Sequence, residues 1–165
     1  MCENIENRTR IVKGVLALKK NILFVCLGNI CRSPAAEGVC RILAQNRADI
    51  GKIDSAGLGD WHVGQPPHPT MRRVASERGF PIDDLRARLI TPDDFETFDF
   101  IIAMDQHNMR QLIEMKERVG GKAQVRMLLE DKSSVPDPYY GTDLAFYESF
   151  DIIYSGVEIF LRDFM

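Results

Sequence analysis

Apolar positions in this chain fall into short unbroken runs separated by longer stretches in which apolar and polar residues alternate at helical spacing. The runs predict buried strands at 21–26, 52–56, 100–104 and 124–129, the second of them broken by Gly57. Ser33 as N-cap and Pro34 at the first helical position predict a helix from Pro34 to about Gln45. The loop Gly64-Gln65-Pro66-Pro67-His68-Pro69 precedes a helix that ends near Gly79. Thr91-Pro92-Asp93-Asp94 is a capping signature for a short helical turn. A further helix is predicted from about Gln106 to Val119. The last helix carries Phe150, Ile153, Val157, Phe160 and Phe164 on one side, at three- and four-residue spacing.

Strand–helix alternation of this kind predicts an α/β fold, a single three-layer domain with a parallel sheet covered by helices on both faces. Crossovers should be right-handed, and a ligand should bind beyond the carboxyl ends of the strands. The 165 residues suit one domain with a sizeable core. That domain is expected over 21–165. Residues 1–20 read as an N-terminal leader, either a short docked helix or a mobile arm.

Composition narrows the function classes. Hydrophobic residues make up 45% of the chain, as in a folded protein. A net charge of -3 argues against nucleic acid as an obligatory partner. No apolar run approaches membrane-spanning length, so no membrane insertion is expected. Glu3 and Glu6 spoil the basic start of a signal peptide, so the default location is cytoplasmic. Cys2, Cys26, Cys31 and Cys40 all lie in the first quarter of the chain, which argues against a disulfide framework. They are not paired at zinc-ribbon spacing and have no His nearby, so no metal is expected.

One segment carries most of the chemistry. Cys26-Leu27-Gly28-Asn29-Ile30-Cys31-Arg32-Ser33 follows directly on the apolar strand. Cysteine and arginine six positions apart can form a complete phosphate-cleaving site. Cys26 supplies a nucleophile. The backbone N–H groups of Leu27, Gly28, Asn29, Ile30 and Cys31 can wrap one oxyanion at a helix N-terminus. Arg32 can grip the same anion with two parallel hydrogen bonds. These groups also favour the thiolate, so Cys26 is expected to ionise well below about 8.5, the ordinary thiol value. Gly28 leaves room where backbone meets ligand, and Asn29 tolerates a left-handed turn. Ser33 can donate a hydrogen bond to the sulfur. The alternative is a structural cysteine after a core strand with a chance arginine; the preceding strand, the Gly-Asn pair and the Ser-Pro helix start weigh against it. Cleaving an aryl phosphate also calls for a general acid, worth about 10²–10⁴ in rate. Asp137, in the loop Val135-Pro136-Asp137-Pro138-Tyr139-Tyr140-Gly141, is the candidate, although an isolated Asp-Pro is usually a turn. Trp61, Tyr139 and Tyr140 could wall a slot for an aromatic ring. His62 and His68 read as polar loop residues and His107 as an exposed helix residue.

On these motifs, together with Asp54-Ser55-Ala56-Gly57, Asp60-Trp61-His62-Val63-Gly64 and Ala103-Met104-Asp105, the chain from about Asn21 onward resembles the low-molecular-weight protein tyrosine phosphatases. The resemblance implies a four-stranded parallel sheet, no metal cofactor, and phosphotyrosine-containing proteins as substrates; a monomer is expected, without any cofactor. It implies attack by Cys26 while Asp137 protonates the leaving phenol, then hydrolysis of a phosphocysteine with Asp137 as base. Arg32 would bind phosphate throughout, Ser33 would assist the thiolate, and Ser55 would help Asn29 hold the loop. Cys31 matches a second cysteine that can bond to the nucleophile under oxidation. Many relatives carry a histidine that supports the loop asparagine where this chain has Leu85, before Arg86-Ala87-Arg88, so support for Asn29 is expected to differ.

Other activities compete on the same scaffold. Protein-arginine phosphatases of this group tend to have threonine where this chain has Ile30, and a branched apolar residue suits an aromatic ester better. Arsenate reductases relay electrons through downstream cysteines, and none follows Cys40. A non-catalytic phosphotyrosine-binding module could dispense with Cys26 or Asp137, yet both are present. A redox sensor built on Cys26 and Cys31 reads as regulation rather than as the main function.

Overall fold

The computed structural model describes residues 19–163. The expected leader falls almost wholly outside them, as does Phe164. Four parallel strands form one sheet: β1 (Lys20–Cys26), β2 (Ile50–Gly57), β3 (Phe100–Ala103) and β4 (Gln124–Met127), in the order β2-β1-β3-β4. The helices are α1 (Arg32–Leu43), α2 (Pro69–Glu77), α3 (Asp94–Thr97), α4 (Gln106–Val119) and α5 (Asp143–Arg162). Among the described residues no helix is long and apolar enough to cross a membrane.

The period-two alternation of strand side chains divides the core in two. Ile22, Phe24 and Ile102 point to the face covered by α1, α2 and α5. Leu23, Val25, Ile101 and Ala103 point to the face covered by α3 and α4, against Phe95, Phe98 and Leu112. β1 is therefore buried on both faces, and Ile22 to Val25 have no exposed surface. Each such large apolar side chain contributes about 1.5–3 kcal/mol of burial. The central strand is thus the least movable element, and its carboxyl end carries Cys26.

Several boundaries differ from the sequence expectation by one or more residues, among them the ends of β1, where the strand starts at Lys20, and of β3, where it stops at Ala103. β2 starts at Ile50 and keeps Gly57 as its last residue, in register with Cys26. β4 stops at Met127, and Leu128-Leu129 bend away. α1 starts at Arg32 with Cys31 as N-cap, so Ser33 is not the cap. The Ser33 hydroxyl is engaged instead with Cys26 and Asn29, and Pro34 sits in the first turn, where its missing N–H leaves no bond unmade.

Within α1, Gly38 faces the buried Ile82, and a methyl group there would collide with Ile82 Cγ2. Gly38→Ala should therefore lower stability by about 1–3 kcal/mol despite its better helix propensity. Chemical denaturation measures this directly, and an unchanged or raised midpoint would contradict the close α1–Ile82 packing.

Candidate active site

The site forms where β1 hands over to α1. Asn29 adopts the left-handed conformation, φ 57°, and turns the loop between them. Its side chain is 2% exposed and fully bonded. Asn29 Oδ1 accepts from the Arg88 N–H (3.0 Å), while Nδ2 donates to Ser33 Oγ (2.8 Å) and Ser55 Oγ (3.0 Å). Gly57 lies behind this turn, and a Cβ there would stand 3.1 Å from both Asn29 Cβ and Leu27 O. The absence of a side chain at Gly57 lets the loop lie close against β2. Leu85, the departure noted above, is buried and apolar; the main chain of Arg88 and the side chain of Ser55 support Asn29 instead.

Arg32 is also buried, and its guanidinium is held from three sides. Nη1 donates to Asp105 Oδ2 (2.7 Å) and Val135 O (3.1 Å), and Nη2 donates to Asp137 Oδ2 (3.4 Å). Burial works against its charge, but the negative groups at Cys26, Asp105 and Asp137 outweigh that, so its pKa rises. Asp105 comes from the turn after β3 and also accepts from the Asn108 N–H (2.7 Å), capping α4. One carboxylate thereby fixes both the helix and the arginine. Asp137 holds itself in a turn by accepting from the Tyr139 N–H (3.1 Å), and its side chain is about half exposed.

A cavity of about 340 Å³ opens onto these groups, lined by Cys26, Leu27, Gly28, Ile30, Cys31, Arg32, Trp61, His62, Asp137, Tyr139 and Tyr140. Tyr139 is braced edge-on by Tyr140 at 4.7 Å and by His68 at 5.9 Å between ring centres. Trp61 and Tyr140 stand out at the rim, with Tyr140 almost wholly exposed. Asn29, Ser33 and Ser55 lie behind the loop rather than on the cavity wall. His62, read from the sequence as a bystander, forms part of the wall; its Nδ1–H can donate to Gln65 Oε1 (3.0 Å). His68 caps α2 by accepting from the Thr70 N–H (3.1 Å), and burial lowers its pKa, which keeps the ring available as an acceptor.

The other cysteines behave differently from a nucleophile. Burial, reinforced by the charges of Cys26 and Asp137, pushes the Cys31 thiol far up, so it stays protonated. Burial likewise pushes Cys40 up to about 12. Cys26, Cys31 and Cys40 are all free thiols. Among the described residues no group of three or more His, Cys, Asp or Glu is placed to hold a metal ion.

The sequence reading assigned no role to Asp105, His62, Arg88 or Glu37. Arg88 fixes its own main chain through its side chain, which donates to Asp54 Oδ2 (3.1 Å) and to both oxygens of Asp94 (3.0 Å each). For Asp105 a local signal did exist, an Asp in N-cap position at the carboxyl end of a strand.

Comparison with known proteins bears on what this arrangement does. A family model described as low molecular weight phosphotyrosine protein phosphatase matches residues 21–164. The low molecular weight protein-tyrosine-phosphatase YfkJ of Bacillus subtilis is 42% identical over 147 residues, 84% of this chain and 91% of its own. Its crystal structure superposes with a TM-score of 0.78, covering 88% of this chain and 94% of that one. The low molecular weight phosphotyrosine protein phosphatase of Sus scrofa is 44% identical over 135 residues, 77% of this chain and 84% of its own. A drosophila arginine phosphatase structure, 29% identical, superposes with a TM-score of 0.81 over 87% of this chain and 97% of that one.

Asp105→Asn separates the two duties of Asp105. Its Oδ1 can still cap α4, but its Nδ2 then meets the Arg32 guanidinium donor to donor. The expected result is a loss of about 10²-fold in kcat/KM on an aryl phosphate, from misplacement of the arginine. Steady-state kinetics checks this, and an unaltered kcat/KM would show that Asp105 does not position Arg32.

Proposed function

Because the chain belongs to the low molecular weight phosphotyrosine protein phosphatases, we propose that Cys26, Arg32 and Asp137 divide between them the removal of phosphate from phosphotyrosine in proteins. The observation that carries these assignments is their convergence on one cavity, with the Cys26 sulfur 3.0 Å from Ser33 Oγ and Arg32 within reach of Asp137. The phosphate sits on the N–H groups of residues 27–31 and on the Arg32 guanidinium. Cys26 Sγ attacks phosphorus. The S–P bond forms as the P–O bond to the phenol breaks, and Asp137 passes its proton to the departing oxygen. Water then attacks the phosphocysteine and gives a proton to Asp137. The S–P bond breaks, inorganic phosphate leaves, and the thiolate is restored with the Ser33 hydroxyl donating to it. Arg32 holds the equatorial oxygens in both steps.

Trp61, Tyr139 and Tyr140 form the approach for the tyrosine ring, with the apolar Ile30 of the loop also lining the cavity. That apolar wall favours an aryl ester over a phosphoguanidinium, so phosphotyrosine is preferred to phosphoarginine. Cys31 is proposed as a resolving thiol: a peroxide converts Cys26 to a sulfenic acid, and the Cys31 thiol condenses with it to a disulfide and water. Among the described residues Cys26, Cys31 and Cys40 are free thiols, which suits a reducing compartment, and we place the enzyme in the cytoplasm as a monomer without cofactor.

Hydrolysis of aryl phosphates of graded leaving-group basicity, and of phosphotyrosine and phosphoarginine peptides, tests these roles. Cys26→Ser should be inactive. Asp137→Asn should lose about 10²–10⁴ in rate on poor leaving groups and far less on good ones. A slowdown independent of the leaving group would remove Asp137 from the acid role. Binding of phosphotyrosine peptide without turnover by the wild type would turn the site into a recognition module, and preference for phosphoarginine would overturn the reading of Ile30.

A further inference from the structure

Glu37 lies on α1, one turn beyond Ser33, with its side chain 2% exposed, and the two-step reaction does not use it. Its Oε2 accepts from Ser55 Oγ (2.5 Å), and its other oxygen pairs with Arg41 on the next turn. Arg41 is partly exposed and also approaches Asp84 (3.6 Å). Burial pushes the Glu37 carboxyl up to about 7; Ser55 and Arg41 oppose this, and Asp54 and Asp84 reinforce it. A carboxyl raised in the fold binds protons more tightly there than in the unfolded chain. Its stabilising contribution is therefore lost as the pH rises from about 4.5 toward about 7. Stability at neutral pH does not explain a carboxyl at this position.

The hydrogen bonds around it can be given directions. The Arg88 N–H can only donate, so the atom 3.0 Å from it is Asn29 Oδ1. Asn29 Nδ2 therefore faces the hydroxyls of Ser33 and Ser55, and each of these accepts from it. Each hydroxyl must then send its own proton elsewhere. The Ser33 proton goes to Cys26 Sγ at 3.0 Å, because the alternative acceptor, Ala56 O, is at 3.5 Å. The Ser55 proton goes to Glu37 Oε2. Two arms thus diverge from Asn29, one ending on the sulfur and the other on the carboxyl. Oε1 faces the Arg41 guanidinium, which can only donate, so the ionised carboxylate satisfies both neighbours, with Oε2 accepting from Ser55 and Oε1 paired with Arg41. Without that acceptor the Ser55 proton has no destination but the Asn29 amide, donor against donor, and the asparagine loses its setting.

We propose that Glu37 is a positioning residue for the nucleophile: as the last acceptor of this relay it keeps Ser55 accepting from Asn29, and so keeps the Ser33 hydroxyl on Cys26. The activity readout below rests on the phosphatase reading; the structural chain does not.

Glu37→Gln and Glu37→Ala lose the same charge and the same pairing with Arg41, whose partly exposed guanidinium can turn to solvent, but only Ala loses the acceptor, so a difference that Glu37→Met reproduces reports the hydrogen bond rather than the lost volume. The Gln variant should turn over an aryl phosphate about tenfold faster than the Ala variant. At pH 6 its Cys26 should also be alkylated by iodoacetamide faster than that of the Ala variant, because only in the Gln variant is the thiolate still bonded by Ser33. Ser55→Ala should cost about tenfold in the Gln background and little in the Ala background, since residues acting in series are not additive. Equal rates in the two Glu37 variants, or an equal Ser55→Ala cost in both, would overturn the proposal. Should Glu37→Ala not fold, Glu37→Met fills the volume without an acceptor and serves the same comparison. Absence of turnover in the wild type would defeat the phosphatase reading alone, and the alkylation rates would still decide the relay.

Discussion

The left-handed turn at Asn29 is the constraint on which the rest of the site depends. A loop that presents five successive N–H groups to one anion has to reverse within a few residues, and its own carbonyls must face away from the anion. Asn29 permits that backbone, and its amide then binds the turn to two distant segments, Ser55 on β2 and the main chain of Arg88. Each bond is modest by itself, about 1 kcal/mol. Together they leave no polar atom of the buried amide unpaired, which makes any other loop conformation expensive.

Around this turn the fold arranges two kinds of charge. Arg32 is buried, and an isolated guanidinium there would be strongly disfavoured. Asp105, Val135 O and Asp137 compensate it from the carboxyl ends of β3 and β4 and the loop beyond. Cys26 and Arg32 both follow the carboxyl end of β1, Asp105 follows β3, and Asp137 lies in the loop after β4, so the candidate nucleophile, arginine and acid meet at one edge of the sheet. The rim is looser. Trp61 and Tyr140 stand largely in solvent, where the proposed mechanism has them meet a protein substrate.

Much of this was legible in the sequence, for identifiable reasons. The unbroken apolar run before Cys26 gave the central strand, because β1 is buried on both faces. The cysteine-to-arginine spacing pointed to the loop that lines the cavity, because Cys26 to Arg32 is local in the chain. The final helix was visible from Phe150, Ile153, Val157 and Phe160, which the structure buries together. What escaped was non-local. Arg32 pairs with Asp105 across 73 residues and Asn29 with Arg88 across 59, and nothing in one sequence couples such positions. The Ser33 error is of the same kind. Its position before Pro34 signals a helix cap, but a tertiary bond to Cys26 and Asn29 takes the hydroxyl away and α1 begins one residue earlier than Ser33.

The most direct measurement is to quench the wild-type protein in acid during turnover of an aryl phosphate, digest it, and locate any phosphoryl group by mass spectrometry. A covalent phosphoryl group on the peptide containing Cys26, formed and lost at rates matching turnover, is the predicted result. Turnover with no phosphorylated peptide, or with the phosphoryl group on another residue, would contradict a mechanism that runs through the Cys26 sulfur.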